Sequence, residues 1–357
     1  MKISCHEQLE AIDPYFIDVF KEAECASFDL SYSWFSNLIS TTLKPGDRVN
    51  IISAEDDSGK LVVLPMRYEE KAGGARKIHA LVNCYTSLYS PLGSGCGSHS
   101  LLAQALRGLL EAGPDWDIVD FSPLATDAHS FDALHQALRS VGFLPFKYFC
   151  FGNWYLPVNG RSYAEYHKSL PSRLQNTIKR KTSHFLSTGA AHLVIITDED
   201  DIEQGIADYS KVYSTSWKKQ EPFPDFIPGL IRMGAHQGWL RLGLAYFHEQ
   251  PVAAQIWMVS HGHAAIFKLA YDEDFASYSA GTILSAHMMR HALDVDKVEE
   301  VDYLIGDDAY KKDWMSHRRE RWGIVAYNPH TIVGLAGAAT QTLSCIRRKL
   351  VSYGNHS

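Results

Sequence analysis

The side chains best suited to chemistry lie close together late in the sequence. Asp302 falls in Val301-Asp302-Tyr303-Leu304-Ile305. Asp307, Tyr310 and Lys311 follow in Gly306-Asp307-Asp308-Ala309-Tyr310-Lys311-Lys312-Asp313-Trp314. A carboxylate can accept a proton from an amine or hold it as a cation, a phenol can donate a proton, and an ammonium can stabilise an oxyanion. Period-2 alternation over Glu300 to Ile305 predicts a strand with Val301, Tyr303 and Ile305 on one face and Asp302 with Leu304 on the other. A carboxylate in such a strand needs a partner, because an unpaired buried charge is very costly. Lys268, inside the apolar stretch Ala264 to Tyr271, has the same need, and the expected pair is Lys268 with Asp302.

Two further segments suit anions. After Lys268-Leu269-Ala270-Tyr271-Asp272 comes Ser279-Ala280-Gly281-Thr282, the start of a helix. A helix N-terminus offers orphan N–H groups and a favourable dipole, and Gly281 lets a ligand approach the backbone. Residues 166–197 contain no Asp or Glu but hold Lys168, Arg173, Lys179, Arg180 and Lys181. A solvated helix or a grip on phosphates both fit that composition.

These residues need elements to position them. At 357 residues, with 46% hydrophobic and 21% charged residues, two soluble domains are expected. The net charge of −7 argues against coating nucleic acid. Helices are predicted over Tyr15 to Ala23, Ser33 to Ser40, Leu101 to Leu110 and Phe131 to Val141. A hairpin spans Val49 to Tyr68, residues 78–90 add a strand, and further strands run over Trp116 to Phe121 and Phe146 to Leu156. The second part repeats that order. A mostly helical Tyr163 to Leu186 leads to a strand His192 to Ile196, a helix Ile202 to Trp217 and a three-proline loop Lys218 to Pro228. Strands Leu240 to Phe247, Val252 to Val259 and Ala264 to Tyr271 follow, then a helix Thr282 to Leu293.

The late segment is similar to the strand–Gly–Asp–x–x–Tyr–Lys–x–x–Trp pattern of the BioF2-like acetyltransferase domain of the GNAT superfamily, found also in CelD-like proteins. It resembles as well the lysine-bearing stretch of FemAB-type aminoacyl transferases. The resemblance covers residues 150 to 330 and includes Lys268 to Asp272 and Gly281-Thr282, with Ala280 in place of a usual proline. It implies a mixed α+β (α/β) GNAT-like fold; because both parts follow the same order of elements, tandem GNAT-like domains are expected, the first degenerate: 1–150, then 151–330, then a helical tail 331–357. It implies acyl transfer to an amine, with acyl-coenzyme A as donor and no metal. Lys311 would stabilise the acyl carbonyl or a phosphate; Asp307 or Asp302 would act on the amine, and Tyr310 on the leaving thiolate. Ser279, Gly281, Thr282, Arg173 and Arg180 would hold the donor, and Lys268, Tyr271 and Trp217 the substrate. The acceptor would be a small-molecule or lipid amine used in envelope, polysaccharide or lipid biosynthesis. Aminoacyl transfer RNA is the alternative donor and otherwise nucleic acid is not expected; a non-catalytic assembly factor is the alternative outside enzymes.

Other signals carry less. The six cysteines form no C-x-x-C pair, as expected of reduced thiols in a cytoplasmic protein. Gly93-x-Gly95-x-Gly97 lacks the register of a dinucleotide fingerprint, and His287 with His291 lacks a third zinc ligand. No signal pattern or bilayer-spanning run is read. Thr331 to Ile346 is uncharged and precedes Arg347-Arg348-Lys349, which suits a helix packed on its domain or one resting peripherally on an anionic membrane, the inner membrane.

Overall fold

A computed structural model describes residues 2–12, 14–44, 46–70, 74–111 and 115–354, for residues 14, 15, 70 and 345–354 the backbone alone. The chain divides into two compact units. One comprises residues 1–36, 43–151 and 320–357; the other comprises residues 37–42 and 152–319. Residues 320–354 thus group with the first part of the chain.

The first unit contains β1 (Lys2–His6), α1 (Pro14–Glu24), part of α2 (Tyr32–Thr42), β2 (Arg48–Glu55), β3 (Leu61–Glu70), β4 (Arg76–Ala80), α3 (His99–Glu111), β5 (Ile118–Ala125) and α4 (His129–Ser140). The strand order is β1-β2-β3-β4-β5. Beyond β5 lies the greater part of a strand from late in the chain, and at the edge residues 144–151 of β6 (Leu144–Pro157). The hairpin forms as expected, with Ile52 opposite Leu64, because Asp56 accepts from the N–H groups of Ser58 and Lys60 at the turn. Alternate residues Ile52, Ala54, Val62, Leu64, Met66 and Ile78 pack under Leu102, Leu106, Leu134 and Leu138 of α3 and α4.

The second unit has the same grammar. It holds α5 (Tyr163–Ser169), α6 (Ser172–Ser187), β7 (Ala191–Ile196), α7 (Ile202–Ser214), α8 (Phe226–His236), β8 (Leu240–Phe247), β9 (Gln250–Ser260), β10 (His263–Tyr271), α9 (Ala280–Asp294), β11 (Glu300–Asp302), α10 (Lys311–Trp314) and the start of β12 (His317–Tyr327). Residues 152–157 of β6, then β11, β10, β9, β8 and β7 lie side by side. Each unit is a strand, two helices, an antiparallel three-strand meander, a helix, and a strand parallel to the third of the meander: β4 with β5, β10 with β11. The sixth strand of each copy is exchanged: β12 pairs with β5 in the first unit, and β6 with β11 in the second.

Three segments depart from expectation. The strand predicted over 78–90 stops at Ala80. There Asn83 accepts from the Tyr85 N–H, and buried Asp29 accepts from the N–H groups of Ser87 and Leu88, so side chains take the bonds a ladder would have used. The three-proline loop ends at Asp225, not Pro228. Phe226 opens α8, which tolerates Pro228 in its first turn, where an N–H has no helical partner anyway. The strand predicted over Glu300 to Ile305 ends at Asp302, because the Asp302 carboxylate accepts from the Leu304 N–H at 2.6 Å and Leu304 turns to φ +51°.

Candidate active site

The site begins where two parallel strands part. β10 pairs with β11 only as far as Ala265 opposite Asp302, yet continues beside β9 to Tyr271 opposite Ala253. The chain after β11 stays with β6: the Tyr303 N–H donates to the Trp154 carbonyl at 2.9 Å, and Gly306 bridges Asn153. The β10 residues from Lys268 onward therefore border an opening. In the first unit the corresponding place is filled. Beyond Ala80, the end of β4, Tyr89 donates its N–H to Pro123 of β5 and Leu92 exchanges bonds with Val63 of β3. Tyr89 is fully buried, its hydroxyl donating to the Pro65 carbonyl. The Gly93 to Gly97 run serves this plug: a Cβ at Gly93 would sit 2.6 Å from the Leu61 carbonyl oxygen.

At the opening in the second unit the Lys268 ammonium pairs with Glu221 at 2.8 Å. This corrects the expected partner. Asp302 is instead held by Arg319, by the Asn153 amide and by the Leu304 N–H. Lys218 lies 5.9 Å from the Tyr213 ring centre and 5.8 Å from that of Trp217, and Lys268 lies 6.0 Å from the same Tyr213 ring. Burial, and then repulsion from Lys268, push the Lys218 ammonium down to about 8. Glu221 opposes that fall, Lys311 adds to it, and Asp308 opposes it. The sequence reading passed over Lys218 and Glu221. Their signal was Trp217-Lys218-Lys219-Gln220-Glu221, directly after an aromatic helix face.

The other residues singled out by sequence divide into three groups. Trp217 and Tyr271 meet at 4.6 Å between ring centres, and Tyr271 lies against Gly281, where a Cβ would be 3.2 Å from its ring. Lysines, aromatics and the start of α9 are thus contiguous. Buried Gln255 fixes that helix end, donating to the Gly281 carbonyl and to Ser285 while accepting from Trp257. Ser279, at φ +58°, sets the entry into α9, with Thr282 in its first turn. Arg173 and Arg180 lie with Lys179 along an open groove on α6. That helix meets the α9 loop where Lys181 donates to the Ser277 carbonyl and His184 stacks on Tyr278 at 5.5 Å.

Lys311 is buried at the start of α10. Its ammonium donates to the carbonyls of Ile305 at 2.6 Å, Gly306 at 3.2 Å and Tyr303 at 3.4 Å, with Asp308 3.4 Å away. An ammonium has three protons, so these carbonyls account for its donors. Burial lowers its pKa and Asp308 opposes the shift. Tyr310 is partly exposed, and burial raises its phenol to about 12. Asp307 accepts from Arg318 and from the Trp154 indole, and the Arg318 bond holds its carboxyl below the usual range. Gly152 makes room for that pair: a Cβ there would be 2.6 Å from the Arg318 guanidinium. Both carboxylates expected to act as bases are therefore committed to arginines. His291 lies 3.7 Å from Asp296, and among the described residues no group of three or more His, Cys, Asp or Glu side chains could hold a metal ion.

Residues 172–312 match the family model described as an acetyltransferase (GNAT) domain. This stretch is similar to GNAT acetyltransferase domains. Among solved structures, FemX is similar over 92% of this chain and 97% of its own, with a TM-score of 0.62 and 11% identity. The structure of L-PGS from Bacillus licheniformis matches over 93% and 95%, TM-score 0.53, 11% identity. A tandem GNAT protein from the clavulanic acid biosynthesis pathway matches over 92% and 100%, TM-score 0.50, 10% identity. At such identities the likeness is one of fold, and that fold is the mixed α/β arrangement of two GNAT-like copies. No curated protein matches the sequence. The chain therefore carries a GNAT-like framework.

Proposed function

We propose that the second unit is an N-acyltransferase that moves an acyl group from acyl-coenzyme A to an amine at the mouth between β10 and β11. The observation that carries this reading is the convergence there of Lys218, the Lys268–Glu221 pair and the start of α9. The anionic donor would lie along the α9 N-terminus and the cationic face of α6, near Ser279, Gly281, Thr282, Arg173 and Arg180. Trp217 and Tyr271 would face the acceptor. The amine nitrogen attacks the thioester carbon, the new N–C bond forms, and the C–S bond breaks. Lys268, oriented by Glu221, would stabilise the tetrahedral oxyanion. Neutral Lys218 would take the amine proton and return it to the departing thiolate, since a thiol of pKa about 8.5 is well matched to it. Tyr310, protonated throughout this range, would donate a hydrogen bond to the sulfur. Lys311 would hold the 303–306 turn and lend its charge to the mouth. Asp302 and Asp307 would anchor Arg319 and Arg318 rather than take the proton.

Thermal shift with coenzyme A and long-chain acyl-coenzyme A tests the donor. Saturating donor should raise the unfolding temperature by mass action, and no shift with any acyl-coenzyme A would overturn it. The open cationic groove on α6 favours a second reading, in which an aminoacyl transfer RNA is the donor. That reading predicts binding that falls steeply with salt.

A further inference from the structure

The last helix, α11 (Ile332–Gly354), is turned the unusual way round. A helix docked on its own domain normally faces its large apolar side chains inward. Here the inward face is small: Gly334 and Ala338 are buried, with Gly337 and Gln341 half-buried beside them. A Cβ at Gly334 would lie 2.1 Å from the Asn328 carbonyl oxygen, and one at Gly337 2.5 Å from the Tyr327 ring, so those glycines let the helix approach closely. Thr331 caps the start, its hydroxyl accepting from the Gly334 N–H at 3.0 Å. The large aliphatic residues point out: Ile332 is 89% exposed, Leu343 68%, Leu335 56% and Val333 43%. With an advance of about 100° per residue, Ile332, Leu335, Ala336, Ala339 and Leu343 share one arc of roughly 100°.

Such a stripe in water is unfavourable unless something covers it. Charge indicates what. The chain as a whole carries −7, yet no acidic residue occurs after Glu320, and Arg347-Arg348-Lys349 follow the stripe in sequence. We propose that α11 is an interfacial anchor that lays its aliphatic stripe into the surface of an anionic lipid bilayer, with the basic run against the headgroups. Length and hydropathy support lying on the bilayer rather than crossing it: among the described residues no helix is long and apolar enough to span a membrane.

The test is flotation of the full chain with phosphatidylcholine vesicles, with and without about 30% phosphatidylglycerol. The wild type should float with the anionic vesicles and far less with the neutral ones. The triple variant Ile332→Ser/Leu335→Ser/Leu343→Ser, whose positions are exposed and whose fold circular dichroism can verify, should lose about tenfold or more in partition. Replacing Arg347, Arg348 and Lys349 by Gln should weaken binding to anionic vesicles alone. Failure of the wild type to float, or equal flotation of the serine variant, overturns the proposal. So does a wild type that stays in solution as a dimer which the serine variant dissociates, because a second copy would then cover the stripe.

Discussion

If neutral Lys218 takes the amine proton, activity must follow its titration, and its neighbours must move that titration in opposite directions. The folded ammonium is held down to about 8 from 10.5, mainly by burial and next by Lys268. Below that pH the residue is protonated and cannot accept, so kcat/KM should climb about tenfold per pH unit and level off above pH 8. Lys218 and Lys268 both lie about 6 Å from the Tyr213 ring centre, so the two ammoniums are at most about 12 Å apart. With an effective dielectric of about 20, one unit charge at that distance is worth roughly 1.4 kcal/mol, or about one pKa unit. Lys268→Met removes that repulsion, so the inflection should move up by about one unit. Glu221→Gln removes an attraction, so it should move down. The assay is kcat/KM against pH with one acceptor amine for all three proteins, so the acceptor's own titration is common to them. Inflections that coincide in the three proteins, or that move together, would refute Lys218 as the proton acceptor.

The remaining predictions concern the supports. Lys311→Met leaves three carbonyls without their donor, and should destabilise the protein by about 1–3 kcal/mol in denaturant unfolding; full stability with lost turnover would return Lys311 to direct oxyanion contact. Asp302→Asn leaves Arg319 short of a buried partner and should cost about 3–5 kcal/mol, read in the same way; a loss of turnover at unchanged stability would return it to the chemistry. Arg173→Gln/Arg180→Gln should raise the KM for acyl-coenzyme A several-fold at constant kcat, since each arginine contributes ground-state binding to phosphate. An unchanged KM would place the donor elsewhere.

Much of the fold was legible because its elements follow simple periods. The hairpin at Val49 to Tyr68, the helix Leu101 to Leu110 and the meander Leu240 to Tyr271 form within a few residues of their predicted bounds. The tandem arrangement was legible as an order of elements, and the missed helix α8 is the counterpart of α2 in the first copy. What the sequence concealed were places where one side chain overrides the local pattern. Asp302 captures the Leu304 N–H and ends a strand whose alternation ran on to Ile305. Asp29 organises Ser87 and Leu88 from 58 residues away. The exchange of β6 and β12 between copies is a long-range pairing that no local period encodes. At the site, the grouping of Lys268, Tyr271, Trp217 and Gly281 follows from strand and helix ends. The partners of the charges do not: Glu221 rather than Asp302 meets Lys268 because the strand carrying Asp302 turns away toward β6.

The central claim is acyl transfer at the opening beside Lys268, and mass spectrometry of the product tests it most directly. Purified protein, a defined acyl-coenzyme A and a cell extract of amines should yield a species heavier by the acyl group, together with free coenzyme A. Lys218→Met should abolish that species while keeping the wild-type unfolding temperature. The absence of any acylated amine across short- and long-chain donors, or its undiminished appearance with Lys218→Met, would contradict the account.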